Sequence, residues 1–162
     1  MERKNIKRKQ ELVNDVKENI ENSPSTYIVE YRGLDVSKLS ELRSMLREEN
    51  NEMHVYKNSI ASRAFESLGH NDINEYLVGP NAFVFSKEDA VSAARILSKF
   101  AKKNKKLIIK SALVEGKITT ENEIKTLATL PNKEGMISKL LGCLQAPVAN
   151  LAVVLNEVAK TK

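Results

Sequence analysis

Ser23-Pro24-Ser25-Thr26-Tyr27-Ile28-Val29-Glu30-Tyr31-Arg32-Gly33 reads as a break, a strand and a stop. Thr26 to Tyr31 is rich in aromatic and β-branched residues, and the serines and proline before it and Arg32-Gly33 after it are boundary signals. Upstream, Ile6, Val13, Val16 and Ile20 fall at sums of three and four, which predicts an amphipathic helix from Arg3 to Asn22. Downstream, helices and strands alternate. Asp35 is placed to cap a helix whose apolar face is Val36, Leu39, Leu42 and Leu46 and which closes near Asn50-Asn51. Met53-His54-Val55-Tyr56 is a second strand. Ser59 to Leu68 is helical, with Gly69 available for the left-handed residue that often follows a helix.

After an irregular link from His70 to Val78, Gly79-Pro80 turns the chain into a third strand, Ala82-Phe83-Val84-Phe85. Ser86-x-x-Asp89 resembles a capping box that opens a helix toward Lys103, and Leu107 to Val114 is the fourth strand. Thr120-x-x-Glu123 predicts a short capped helix, which must end before Pro131 because proline cannot continue the hydrogen-bond ladder. Four strands separated by helices fit a doubly wound parallel sheet or a split βαβ arrangement, and periodicity alone does not separate them. The order strand, helix, strand, extra helix, strand, helix, strand fits the second. The predicted class is therefore α+β: a ferredoxin-like split βαβ globular domain over 1–131 with an additional N-terminal helix, followed by a C-terminal helical arm over 132–162.

Within that arm Ile137, Leu141, Leu144, Val148, Leu151, Leu155 and Val158 repeat at alternating steps of four and three, a heptad seam. Leu140, Val153 and Val154 widen it, and the charges from Glu134 onward are only Glu134, Lys139, Glu157, Lys160 and Lys162. Pro147 lies inside the seam and predicts a joint, either two helices or one kinked helix. The seam either folds back onto the core as an ordinary amphipathic face or remains an exposed strip that binds helices of a partner.

A chain of 162 residues suits one domain plus an appendage. Its net charge of +5 leans toward polyanionic partners. The cations following Met1 have no apolar stretch behind them, so no secretory or membrane-spanning start is expected, and Cys143, the one cysteine, suits a reducing compartment. Both observations point to the cytoplasm. Neither a P-loop nor a dinucleotide fingerprint can be built from six isolated glycines, and His54 and His70 lack companions at a zinc spacing. No serine sits in a nucleophile elbow, and Glu48-Glu49 falls at a helix end; a triad assembled only in space is the arrangement that sequence order leaves open. The chain reads as a binding protein rather than an enzyme, with no cofactor, metal or small-molecule substrate.

Arg3, Lys4, Lys7, Arg8 and Lys9 place several cations on about two helical turns, which suits phosphate contacts or a solvated terminus. Lys99, Lys102, Lys103, Lys105 and Lys106 fall at a helix C-terminus, where cations offset the macrodipole. Tyr31-Arg32-Gly33 and Lys57-Asn58-Ser59 sit at strand ends, where loops can approach a phosphate backbone closely. Arginine forks onto phosphate or stacks on a base, lysine supplies a point charge, and asparagine or serine donates hydrogen bonds. The same residues would also serve as a turn or a cap.

Tyr31-Arg32-Gly33-Leu34, Leu42-Arg43, Val55-Tyr56-Lys57-Asn58, Gly79-Pro80-Asn81-Ala82, Phe100-Ala101-Lys102, Leu127-Ala128-Thr129-Leu130-Pro131 and Ala146-Pro147 occur in that order. Together, along essentially the whole chain, they resemble the bacterial stalk-base family of the large ribosomal subunit, ribosomal protein ten. The resemblance implies a globular part seated on ribosomal RNA of the GTPase-associated region beside ribosomal protein eleven. It implies RNA-facing roles for Arg32, Gly33, Lys57, Asn58, Gly79 and Pro80, with Arg43 in addition. The arm from Ile137 to Val158 would carry dimers of the acidic stalk protein, which recruit translation factors. Two dimers fit better than three, since Pro147 divides a short arm. Asn81 departs from the family pattern, which usually has threonine there. The other reading is a free-standing RNA-binding translational regulator whose last helices complete its own core.

Overall fold

The computed structural model describes residues 2–87, 89–114 and 116–160, with side chains described throughout these except at 2–5, 71, 133 and 158. The chain divides into two compact units, Met1–Thr129 and Leu130–Lys162.

In the first unit, helix α1 (Glu2–Glu21) precedes strand β1 (Ser25–Glu30). Helix α2 (Val36–Glu48), strand β2 (Asn51–His54), helix α3 (Asn58–Ser67) and a 3-10 turn over Asn71–Tyr76 follow. Strand β3 (Asn81–Ser86), helix α4 (Ser92–Lys103), strands β4 (Ile108–Val114) and β5 (Lys117–Thr120), and helix α5 (Glu121–Leu127) complete the unit. The strands form one antiparallel sheet in the order β2-β3-β1-β4-β5. The first four have the split βαβ order predicted above. β5 was not predicted: it is four residues long, and Lys117 and Thr120 at its ends are exposed, so it carries little alternation to read.

Both faces of the sheet are covered, which is why β1 and β3 are buried almost throughout instead of alternating with solvent. Tyr27, Val29, Ala82 and Val84 pack with Leu42 and Leu46 of α2, Leu97 and Phe100 of α4 and Ile124 of α5. Ile28, Phe83 and Phe85 pack on the other face with Val16 and Ile20 of α1 and Ala61, Ala64 and Phe65 of α3. The register of β1 against β4 shifts between Ile28 and Val29, which pair with Ser111 and Ile109 and leave Lys110 as the extra residue of a bulge. Because of the bulge, Ile109 and Ala112, three apart, reach the same core.

Three local predictions are corrected. β2 begins at Asn51 rather than Met53 and stops before Val55, because Asn51 is drawn inside as a polar tie. Its Nδ2 donates to Ser92 Oγ at 3.1 Å, and its Oδ1 accepts from Ser86 Oγ at 2.7 Å, joining β2, β3 and α4. Ser86 and Asp89 form no capping box, since Ser86 ends β3, its hydroxyl also reaches the Asp89 carbonyl at 2.6 Å, and α4 starts only at Ser92. Asp35 stands at the N-cap of α2 without a side-chain capping bond. The box at α5 is present, with Glu123 Oε2 accepting from the Thr120 amide at 2.8 Å. Tyr27 donates to the Ala90 carbonyl at 2.5 Å, and burial pushes its hydroxyl pKa up to about 12.

Asn51→Leu removes the tie but keeps the volume. The expected loss is roughly 1–3 kcal/mol, the range for leaving buried polar groups short of a partner, read as a shifted urea midpoint with unchanged slope. A loss below about 0.5 kcal/mol, the low end for a net hydrogen bond, would mean that Ser86 and Ser92 satisfy themselves through the Asp89 carbonyl.

The second unit is dominated by helix α6 (Lys133–Lys160), whose first described capping bond runs from the Met136 amide to the Asn132 carbonyl at 2.9 Å. It continues through Pro147. Of the two forms predicted for the joint, two helices or one continuous helix, the structure has the continuous one, with a proline in its interior at a point where one ladder hydrogen bond is missing.

Candidate nucleic-acid interface and helical arm

Strand pairing decides which turns meet. Glu30, the last residue of β1, pairs with Asn81 at the start of β3 on one side and with Ile108 at the start of β4 on the other. The turn after β1 carrying Arg32-Gly33, the turn before β3 carrying Gly79-Pro80, and the turn before β4 carrying Lys106 therefore share one end of the sheet. β2 leaves at the same end, since it runs antiparallel to β3 and His54 pairs with Phe83. Asn58 Nδ2 then donates to the Gly79 carbonyl at 2.9 Å, tying the start of α3 to the turn before β3. Residues far apart in sequence, namely Arg32, Gly33, Lys57, Asn58, Gly79 and Pro80, are thus brought to one place.

Two glycines shape it. Gly33 and Gly79 both have φ of +82°, a left-handed conformation that costs an L side chain about 1–2 kcal/mol. A Cβ on Gly79 would stand 3.7 Å from Glu30 Oε1, and one on Gly33 would stand 3.5 Å from Lys106 Cδ. Lys106 thereby joins the group. As the last lysine of a run read only as a helix terminus, it gave no sign of this in the sequence.

The acid at the centre is neutralised. Glu30 Oε2 lies 2.7 Å from Lys110 Nζ, and both side chains are less than one fifth exposed. Lys110 also donates to Asn81 Oδ1 at 3.1 Å and to the Val78 carbonyl, so the bulged residue of β4 buttresses the turn before Gly79. The contact gives Asn81 a defined role. Arg32, Lys57 and Lys106 are exposed, and among the described residues no ion pair ties them down. A neutralised interior, two glycine turns and three outward cations make a surface that a phosphate backbone can approach closely.

The other predicted RNA residues lie elsewhere. Arg43, half-buried on α2, lines a cleft of about 760 Å³ with Arg47, Asn51 and His54. In that cleft Glu52 is held below the usual carboxylate range chiefly by its hydrogen bond with Lys87. Lys7 and Arg8 are exposed on α1, where Lys9 and Lys17 face Arg63 of α3 across a shallow depression. Arg3 and Lys4 lie outside the residues whose side chains are described.

Along α6 the seam is uncovered. Ile137, Leu141, Leu144, Val148, Leu151 and Leu155 are all exposed, Leu144 to 68% and Leu151 to 61%, as are Leu140, Val153 and Val154. Val158 lies outside the described side chains. A 28-residue helix spans roughly 42 Å at 1.5 Å per residue. An apolar strip of that length is far larger than scattered surface leucines require and is a candidate interaction surface. Glu134–Glu157 is also long and apolar enough to cross a membrane.

Residues 4–102 match the family model described as ribosomal protein L10, and residues 130–162 match that of the ribosomal protein uL10 C-terminal region. The large ribosomal subunit proteins uL10 of Bacillus cereus (strain B4264) and Bacillus anthracis (strain A0248) are each 48% identical to this chain over 157 residues, covering 97% of it and 95% of the relative.

Proposed function

Because the chain belongs to the ribosomal protein L10 family, we propose that its globular unit anchors to large-subunit ribosomal RNA while α6 carries dimers of the acidic stalk protein. Membership makes it a structural protein of the large ribosomal subunit, working on the ribosome in the bacterial cytoplasm and not an enzyme. The finer roles rest on one observation, that a single chain joins a glycine-turned cationic sheet end to a helix with an uncovered apolar seam.

Arg32, Lys57 and Lys106 contact phosphates of the GTPase-associated region, Asn58 holds the Gly79-Pro80 turn in shape, and Gly33 and Gly79 keep the backbone low enough for approach. Arg43 on α2 and Lys7 and Arg8 on α1 are further candidate contacts away from the sheet end. Ribosomal protein eleven is the neighbour on that RNA. Pro147 falls between Leu144 and Val148 and splits the seam into two similar lengths, each accommodating one dimer and together recruiting translation factors.

Native mass spectrometry of the purified chain with a GTPase-associated ribosomal RNA fragment and the acidic stalk protein tests both ends. One RNA and four stalk-protein copies per chain are expected. Amides of α6 should exchange quickly in the free chain and slowly in the complex. Protection of α6 before any partner is added would favour the regulator whose last helices complete its own fold. Partition of the chain into lipid vesicles in place of dimer binding would reassign α6 to a membrane.

A further inference from the structure

A groove of about 800 Å³ runs between α4, α5 and the start of β4, within the globular unit and outside the surfaces described above. Its accessible apolar surface is Ile108, 50% exposed, backed by Leu107 and Ile109, which are buried in the core. Around it stand Arg95, Lys99, Lys102, Lys105 and Lys125. Among the described residues Glu121 is the one acid lining the groove, and it is held by Lys125 at 2.6 Å. Lys102 and Lys103 offset the dipole of the last turn of α4. That role does not explain Arg95, two turns earlier, or Lys105, beyond the helix.

Arg95 is the more telling group. Its Nε and Nη2 are buried with no hydrogen-bond partner among the described residues. A guanidinium partly withdrawn from water without an acceptor is costly, and a carboxylate meeting its accessible side offsets that cost by charge. Apolar surface beside a cation rim also calls for an occupant that is apolar on one side and acidic on the other. RNA suits the groove less well, because its apolar wall is aliphatic and offers no aromatic ring for a base to stack on.

We propose that this groove docks an acidic amphipathic segment of a partner protein, with an apolar side chain on Ile108, one carboxylate drawn to Arg95, and further acids facing Lys99, Lys102 and Lys105. The proposal is independent of the RNA and stalk roles.

Fluorescence anisotropy of the full chain with a labelled helical peptide of leucine and glutamate, beside its lysine-for-glutamate counterpart, tests it. Saturable binding of the acidic peptide alone is expected, with affinity lowered at least tenfold by Ile108→Glu or Lys102→Glu and unchanged by Lys57→Ala. Ile108 is half-exposed, so Ile108→Glu should keep the parent's melting temperature. Lys102→Glu, which gives up a favourable charge at the end of α4, should lower it by a few degrees without unfolding the chain. Arg95→Lys, which keeps the charge and loses the fork, should weaken binding severalfold. Equal binding of the lysine peptide, no saturation up to millimolar peptide, or loss on Leu144→Asp in α6 instead of on Ile108→Glu would overturn it. So would displacement of the peptide by a ribosomal RNA fragment whose own binding is impaired by Ile108→Glu, which would assign the groove to RNA.

Discussion

A chain carrying Leu144→Asp together with Leu151→Asp is expected to bind the acidic stalk dimers at least a hundredfold more weakly while keeping its affinity for RNA. The two leucines lie on either side of Pro147, and both are more than half exposed, so neither change removes packing from the globular unit. In a complex each would be covered by partner helices, a gain of about 1.5–3 kcal/mol per side chain. A carboxylate in the same place adds a desolvation cost. A hundredfold loss corresponds to only about 2.7 kcal/mol, so the prediction is conservative. The single variants are more informative: each should reduce the bound stalk protein from four copies to two. Loss of all four copies on one substitution would show that Pro147 does not divide the platform, and unaltered capture would remove α6 from the partner interface. Deleting the residues after Asn132 is the coarser version. If that deletion unfolded the globular unit, α6 would have to be counted as part of the core.

The heptad seam was legible because it depends on spacing alone, and spacing survives translation into a helix without reference to the rest of the chain. The strands around Tyr27, Phe83 and Ala112 were legible for a similar reason, since runs of buried β-branched and aromatic residues say little else. What the sequence could not show was what distant segments do to one another. Asn51 looks like a helix-terminal asparagine until Ser86 and Ser92 are placed beside it. Lys110 looks like an interruption in an apolar strand, and only the bulge against Ile28 and Val29 aims it at Glu30 and Asn81. In isolation Arg32, Lys57 and Asn58 are each as much turn or cap as ligand, and Gly79 reads only as a turn. The sheet register makes them neighbours, and no local pattern encodes that register. The lysines near the end of α4 illustrate the opposite limit: a sufficient local explanation, the helix dipole, hid the groove they border and the place of Lys106 over Gly33.

Salt dependence gives the sharpest test of the sheet end. If Arg32, Lys57 and Lys106 each neutralise a phosphate, removing all three by alanine substitution should reduce the slope of log affinity against log salt by roughly 2–3 units, at about 0.7–0.9 per contact. At low salt the same variant should bind the ribosomal RNA fragment at least tenfold more weakly, because the released counterions favour the parent most there. Stability should change little, since all three side chains are exposed. Asn58→Ala is predicted to behave differently. It removes the donor to the Gly79 carbonyl and no charge, so affinity falls while the salt slope stays where it was. That contrast separates a residue that touches phosphate from one that holds the turn. Arg43→Ala and a Lys7→Ala, Arg8→Ala pair then measure how far the surface extends, each lowering the slope only if its cation meets RNA. An unchanged slope in the triple variant, with Arg43→Ala or the α1 pair lowering it instead, would move the contact surface to α2 or α1 and leave the glycine turns as architecture.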